Sequence, residues 1–149
     1  MDEMYSAMPG SPITYLTSDI SAGQTTIAIG DDSAIPDAPN LATIGYGEHI
    51  ETIRYGAKSN GVLQEVTRGI EGTPRAWSSG TEVARFFTAY ELNRIVGNIT
   101  LLDNSVGDIE ELETDEKGNL VESINELDGA VKTHLADYAN LLSGGTPVK

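Results

Sequence analysis

Few side chains in this sequence could act on a substrate. The two histidines, His49 and His134, lie about 85 positions apart and on different elements. The densest group of ligand types is Glu48-His49-Ile50-Glu51. On an alternating strand Glu48 shares a face with Ile50, which leaves His49 with Glu51, two donors where a metal wants more. A solvated strand face is the better reading. Gly45-Tyr46-Gly47 lacks a full phosphate loop and the helix that should follow one. Arg68-Gly69 through Gly72-Thr73 has residue types that hold phosphate, but it falls between strands, with no helix N-terminus to supply amides. There is no cysteine, so thiolate nucleophiles, thiolate metal sites and disulfides are excluded. Nothing assembles a nucleophile, base or metal cluster. The expectation is a protein that is not an enzyme, with no catalytic residue, metal or cofactor.

The 149 residues carry a net charge of −14, with 11 acidic and 5 basic side chains in residues 1–85 and 12 acidic and 4 basic in residues 86–149. Phosphate binding needs clustered Lys and Arg, so nucleic acid is a poor match. Acid on both halves reads as solubility and resistance to wrong association. No apolar run reaches the roughly 18 residues of a membrane span, and no signal peptide is evident, so no membrane insertion is expected.

Two codes divide the chain. Residues 1–12, rich in Met, Ser, Pro and Gly, read as an arm, either loose or ordered by a neighbour. From Ile13 the period is two. Strands are expected at Ile13–Leu16, Thr25–Ile29, Leu41–Ile44, Ile50–Tyr55, Val62–Arg68 and Thr81–Phe87. Ser59-Asn60-Gly61 is a hairpin turn. Pro36 and Pro39 keep 35–40 irregular. Gly69-Ile70-Glu71-Gly72-Thr73-Pro74 reads as a glycine-paced loop, and Trp77 as a plug for the open end of the sheet. Residues 13–87 therefore form a small all-β domain, sandwich or barrel-like. At Thr88 the period becomes 3.6. Thr88-Ala89-Tyr90-Glu91 is a capping box, in which the Thr oxygen accepts from the third helical amide and the Glu reaches back.

The helical half carries apolar residues at alternating steps of three and four, a heptad with a and d filled. Leu92, Ile95, Ile99, Leu102, Val106 and Ile109 form the first row, in a helix over 88–112. Leu120, Ile124, Leu127, Val131, His134, Tyr138 and Leu141 form the second, in a helix over 120–143. So narrow a seam asks for partner chains. Between the rows, 113–119 adds four residues to the repeat. This is either a stutter in one helix or a stop and restart; Gly118 and the Asn119…Glu122 pair favour the restart. Residues 144–149 read as a tail behind a glycine cap. β-branched a with Leu d leans toward two strands, and Ile at d toward three or more, so the pattern alone leaves the number open. His134 at d is either a ring of imidazoles holding an anion or metal, or a polar residue that sets register. The second reading is the better one, and Leu135 beside it could take over the seam.

Two stretches carry a resemblance. One runs Pro39-Asn40-Leu41-Ala42-Thr43-Ile44-Gly45, Glu51-Thr52-Ile53-Arg54-Tyr55, Val66-Thr67-Arg68-Gly69-Ile70-Glu71-Gly72-Thr73, Ala76-Trp77, Gly80-Thr81, Val83-Ala84-Arg85 and Phe87-Thr88-Ala89-Tyr90. It resembles small β modules of bacteriophage tail, baseplate and fibre proteins. The other, Val106-Gly107-Asp108-Ile109 with Thr114, Lys117 and Leu120-Val121-Glu122-Ser123-Ile124-Asn125-Glu126-Leu127, is similar to a segment of phage fibre proteins, with Ser123 where alanine is usual. The resemblance covers about residues 11–130. It implies a homotrimer, a place in the virion after assembly in the host cytoplasm, and other virion structural proteins as partners. The β domain would dock on a tail, baseplate or capsid, and the coiled-coil stalk would project or join another component. A head fibre is one alternative. The other is binding of host-surface glycan through loops carrying Tyr46, Arg68, Glu71 and Trp77. No receptor-binding tip follows the helices, which weakens the second.

Overall fold

Alternating side chains and tight turns build two antiparallel sheets. The computed structural model describes residues 1–115 and 117–144, with Glu110 by its backbone alone. The strands are β1 (Ile13–Tyr15), β2 (Ile27–Ala28), β3 (Asn40–Tyr46), β4 (His49–Tyr55), β5 (Ala57–Ser59), β6 (Val62–Gln64), β7 (Thr67–Glu71) and β8 (Glu82–Ala84). One sheet has the order β1-β8-β3-β4-β7 and the other β2-β6-β5. With the helices α1 (Ala89–Val106) and α2 (Leu120–Leu142), the fold is α+β.

The period-two code places the core. Ala42 and Ile44 of β3, Ile53 and Tyr55 of β4 and Val83 of β8 meet Ile27 and Leu63 of the smaller sheet, with Leu16, Ile20 and Ile35 from the connections. Each fully buried Ile or Leu contributes about 1.5–3 kcal/mol. Tyr55 brings a hydroxyl into this core and donates it to the Pro36 carbonyl at 2.7 Å. Burial pushes its phenol pKa up, because an ionised oxygen would lose its water there.

The predicted strand over Val62–Arg68 is instead two strands, one in each sheet. Glu65 between them sits at φ 54°, a left-handed conformation no regular strand contains. Opposite it, Gly56 parts β4 from β5, and its amide donates to Gln64 at 3.1 Å. So 49–71 is one long hairpin, bent at Gly56 and Glu65. Its tip is the Asn60-Gly61 turn, where φ of 51° and 73° suits a two-residue hairpin loop. The expected loop from Gly69 is likewise a correction: Gly69, Ile70 and Glu71 belong to β7 and pair with β4 through an irregular register.

The helices also differ from expectation. The first ends at Val106, not Leu112. Gly107 takes φ 77° and its amide donates to the Asp103 carbonyl at 3.0 Å, a left-handed cap of the kind glycine supplies. Ile109 then lies in a short 3-10 turn, Ile109–Glu111, outside the helical row. The chain stops and restarts: Asn119 caps α2 by accepting from the Glu122 amide at 3.0 Å. At the far end the Gly144 amide donates to the Leu141 carbonyl at 3.1 Å, with φ 80°. Pro147 and the rest of the 145–149 tail lie outside the described residues.

The chain divides into two compact units, one of residues 1–100 and one from Leu101 onward. The period changes at Thr88, yet the first unit includes eleven residues beyond Ala89, because the arm ties that part of α1 in. The arm (Met1–Pro12) has no regular structure, but its own chain holds it. Asn98 of α1 bonds both the amide and the carbonyl of Asp2, at 2.6 and 3.0 Å. Arg54 of β4 donates to the Tyr5 hydroxyl at 2.9 Å, and Asn40 to the Ser6 hydroxyl at 2.9 Å.

Tyr55→Phe leaves the Pro36 carbonyl without its partner in the core. The expected cost is about 1–3 kcal/mol, read as a lowered urea midpoint with an unchanged slope.

Candidate functional site

The predicted recognition residues part company in the structure. Arg68 and Trp77 both turn inward onto Glu51, a carboxylate with 0 % exposure. Glu51 lies on the core face of β4 because alternation puts it with Ile53 and Tyr55. The solvated face expected for His49 and Glu51 is therefore corrected: His49 is exposed and Glu51 is not. Arg68 reaches it from β7 with a two-pronged fork, Nε to Oε1 and Nη2 to Oε2, each 2.7 Å. The Trp77 indole N–H donates to Oε2 at 2.9 Å, and the Gly69 amide to Oε1 at 3.1 Å. The remaining guanidinium hydrogens go to carbonyls of Ser21, at 2.6 Å, Gln24, at 3.4 Å, and Arg75, at 2.8 Å.

This network accounts for the glycines around Arg68. Gly69 and Gly72 take φ of 65° and 77°. A side-chain carbon on Gly72 would run into the Ile50 carbonyl, and one on Gly69 into the Pro74 ring, 2.7 Å away. Gly45 lets Trp77 lie flat against β3, where a Cβ would come within 2.6 Å of the indole. Trp77 also exchanges backbone bonds with Ile20, at 2.8 and 3.0 Å, and packs against the core. Arg68 and Trp77 therefore spend their polar groups on the fold.

Glu71 has a different task. Its Oε1 accepts from the Tyr90 amide at 2.7 Å and its Oε2 from the Thr52 hydroxyl at 3.2 Å. A carboxylate at the first turn of α1 satisfies an open amide and suits the positive helix end. The capping box forms by half. Glu91 accepts from the Thr88 amide at 3.2 Å, while the Thr88 hydroxyl oxygen is buried without a partner. Glu71 thus caps the helix start at the Tyr90 amide, one residue before the amide Thr88 was expected to fill. Glu91 also takes both arms of the buried Arg85 guanidinium, whose Nε donates to Asn40 at 2.8 Å.

Of the four, Tyr46 alone stands clear, 83 % exposed at the end of β3. Glu48, His49 and Ile50, which follow it in the chain, line a shallow groove with Gly72, Thr73 and Arg75. Arg75 stacks its guanidinium 5.4 Å from the Trp77 ring. Among the described residues no three or more His, Asp or Glu side chains gather to hold a metal. No described helix is long and apolar enough to cross a membrane.

No family model and no curated protein matches the chain. The helices are then the largest feature left to interpret. Leu92, Ile99, Leu102, Val106, Leu120, Ile124, Leu127, Val131, Tyr138 and Leu141 are each between 41 % and 60 % exposed. Ile95 and Ile109 are half-buried, and His134 is exposed. Five more apolar residues lie beside the predicted rows and are more than half exposed: Val96, Leu101, Val121, Leu135 and Leu142. All but Leu101, which precedes one, directly follow a d position, a signal readable in the sequence once the row is allowed to be wider than a and d.

Burial alone would raise the Glu51 carboxyl, but the Arg68 fork, the Trp77 N–H and the Gly69 amide outweigh it and hold it below the usual range. A lowered folded pKa stabilises above the unfolded value of about 4.3 and is lost as pH falls through the folded value. Urea midpoints should therefore fall as the pH drops below about 4.3. Glu51→Gln should flatten that drop and cost about 3–5 kcal/mol at neutral pH, the penalty for stranding a buried guanidinium.

Proposed function

We propose that this chain is a structural component of a bacteriophage virion that works by assembling as a homotrimer, its two helices forming coiled-coil segments. The observation that carries the proposal is the open apolar row: ten seam residues on α1 and α2 stand 41–60 % exposed in a single chain. Apolar residues in heptad register on a helix find a matching surface on another copy of the same helix. The added Val121, Leu135 and Leu142 widen the α2 row on one side. A wider row suits three helices better than two, since each helix then faces two neighbours. The similarity to phage β modules and fibre segments points the same way. In this reading the β domain docks on a tail, baseplate or capsid protein, and the helical part joins or projects toward another component. Arg68, Glu71 and Trp77 are scaffold within the β domain.

Host-glycan binding is the second reading. It rests on exposed Tyr46 and the groove that His49 and Arg75 line. A glycan array probed with the full chain separates the two: a Tyr46-dependent signal favours recognition, and a silent array favours docking.

Sedimentation equilibrium at micromolar concentration should return three times the 15.9 kDa chain mass. Leu127→Asp, which puts a charge into a d position, should reduce it to one. A wild-type monomer of low helicity would overturn the assembly reading.

A further inference from the structure

We infer that the seat of the arm on α1 is an exchange site, taken in the assembled protein by the arm of a neighbouring copy. The inference rests on the assembly reading above. It starts from how the arm is held. Asn98 grips the amide and carbonyl of Asp2, Arg94 donates to the Glu3 carbonyl at 2.9 Å, and Arg85 to the Ser6 carbonyl at 3.2 Å. These are main-chain bonds to an irregular segment, made by side chains of the body. Arm and body together enclose an apolar groove of about 290 Å³, with Met4 on the arm side and Phe87 and Ile95 on the body side. Any copy of the arm satisfies it equally.

The hinge decides which copy. Residues 9–12 read Pro-Gly-Ser-Pro. Folding the arm back onto its own body needs two successive left-handed residues, Gly10 at φ 72° and Ser11 at φ 42°. Glycine adopts this freely; serine does not. Ser11 also precedes Pro12, and the proline ring pushes the residue before it toward extended backbone. The Pro9-Gly10 turn is itself favourable and is closed by the Ser11 amide donating to the Met8 carbonyl at 3.0 Å. The strain is therefore confined to Ser11, and a straighter hinge that swings the arm off its own body releases it. A strained hinge of this kind drives exchange between copies.

Reach is sufficient. Eight arm residues span up to about 26–29 Å, whereas packed helices lie about 8–10 Å apart. The groove borders the seam, because Ile95 belongs to both. A neighbour's groove is thus within range once α1 helices associate.

Because the chain has no cysteine, thiols can be placed one at a time. Met4 and Phe87 both line the groove and are exposed. A Met4→Cys chain, co-expressed with a Phe87→Cys chain and treated with a short bis-maleimide, should give a covalent two-chain product carrying one of each. The double variant should give a ladder of linked chains, and in a Leu127→Asp background should revert to linkage within one chain. Ser11→Gly, which removes the hinge strain, should cut the two-chain product severalfold. Linkage confined within single chains, in a protein that sediments as a trimer, overturns exchange and leaves assembly standing. A monomer with the same linkage overturns both.

Discussion

The β domain is arranged around one buried ion pair, Glu51 with Arg68. A carboxylate at the centre of an apolar face is costly unless its oxygens are filled. Both are filled here, by a guanidinium fork, an indole N–H and a backbone amide. Meeting that demand sets much of the surrounding backbone. β7 must bring Arg68 alongside β4, the chain must turn left-handed at Gly69 and Gly72, and Trp77 must come back past Gly45. The pattern of Arg, Gly, Gly and Trp that looks like a binding loop in the sequence is the set of residues this carboxylate requires.

That is also why the sequence was legible in some places and not in others. β-branched and aromatic residues announce β1, β3 and β4 as strands, but the face is not always readable: β1 turns Thr14 inward and leaves Ile13 and Tyr15 out, and β3 is buried on both faces. Alternation misreads Glu51, because it reports polarity, and polar residues are taken as solvated. Only a partner distant in sequence reverses that, and Arg68 is 17 positions away. Val62–Arg68 reads as one strand because nothing in Gln64-Glu65-Val66 announces a corner. Glu65 holds a positive φ without being Gly or Asn, the residues whose presence would have warned of it. Thr88 through Glu91 has every feature of a capping box, yet Glu71 of β7 comes in to fill the Tyr90 amide and the Thr88 hydroxyl goes unpaired. Local signals lose in each case to a tertiary contact.

The helices were legible in period and less so in extent. Gly107 reads as a weak spot within a helix, when it is the residue that ends it. The restart at Asn119 follows directly from its side chain. The arm was open in the sequence, because Asn98 and Arg94 look like ordinary surface residues of α1. Their use as hydrogen-bond partners of the backbone depends on where residues 1–12 pass.

The bent hairpin of residues 49–71 has a consequence for how the core closes. β4 and β7 belong to one sheet, β5 and β6 to the other, yet all four are a single antiparallel ribbon. Pairing that begins at Asn60-Gly61 can proceed outward, one neighbouring pair after another, across the corner and into the second sheet. Each step closes a loop already nearly closed, so little extra chain entropy is spent on joining the sheets. The ribbon thus brings Ile53, Tyr55, Leu63 and Val66 together by local pairing, a first wall of the core in both sheets onto which β2, β3 and β8 add the rest.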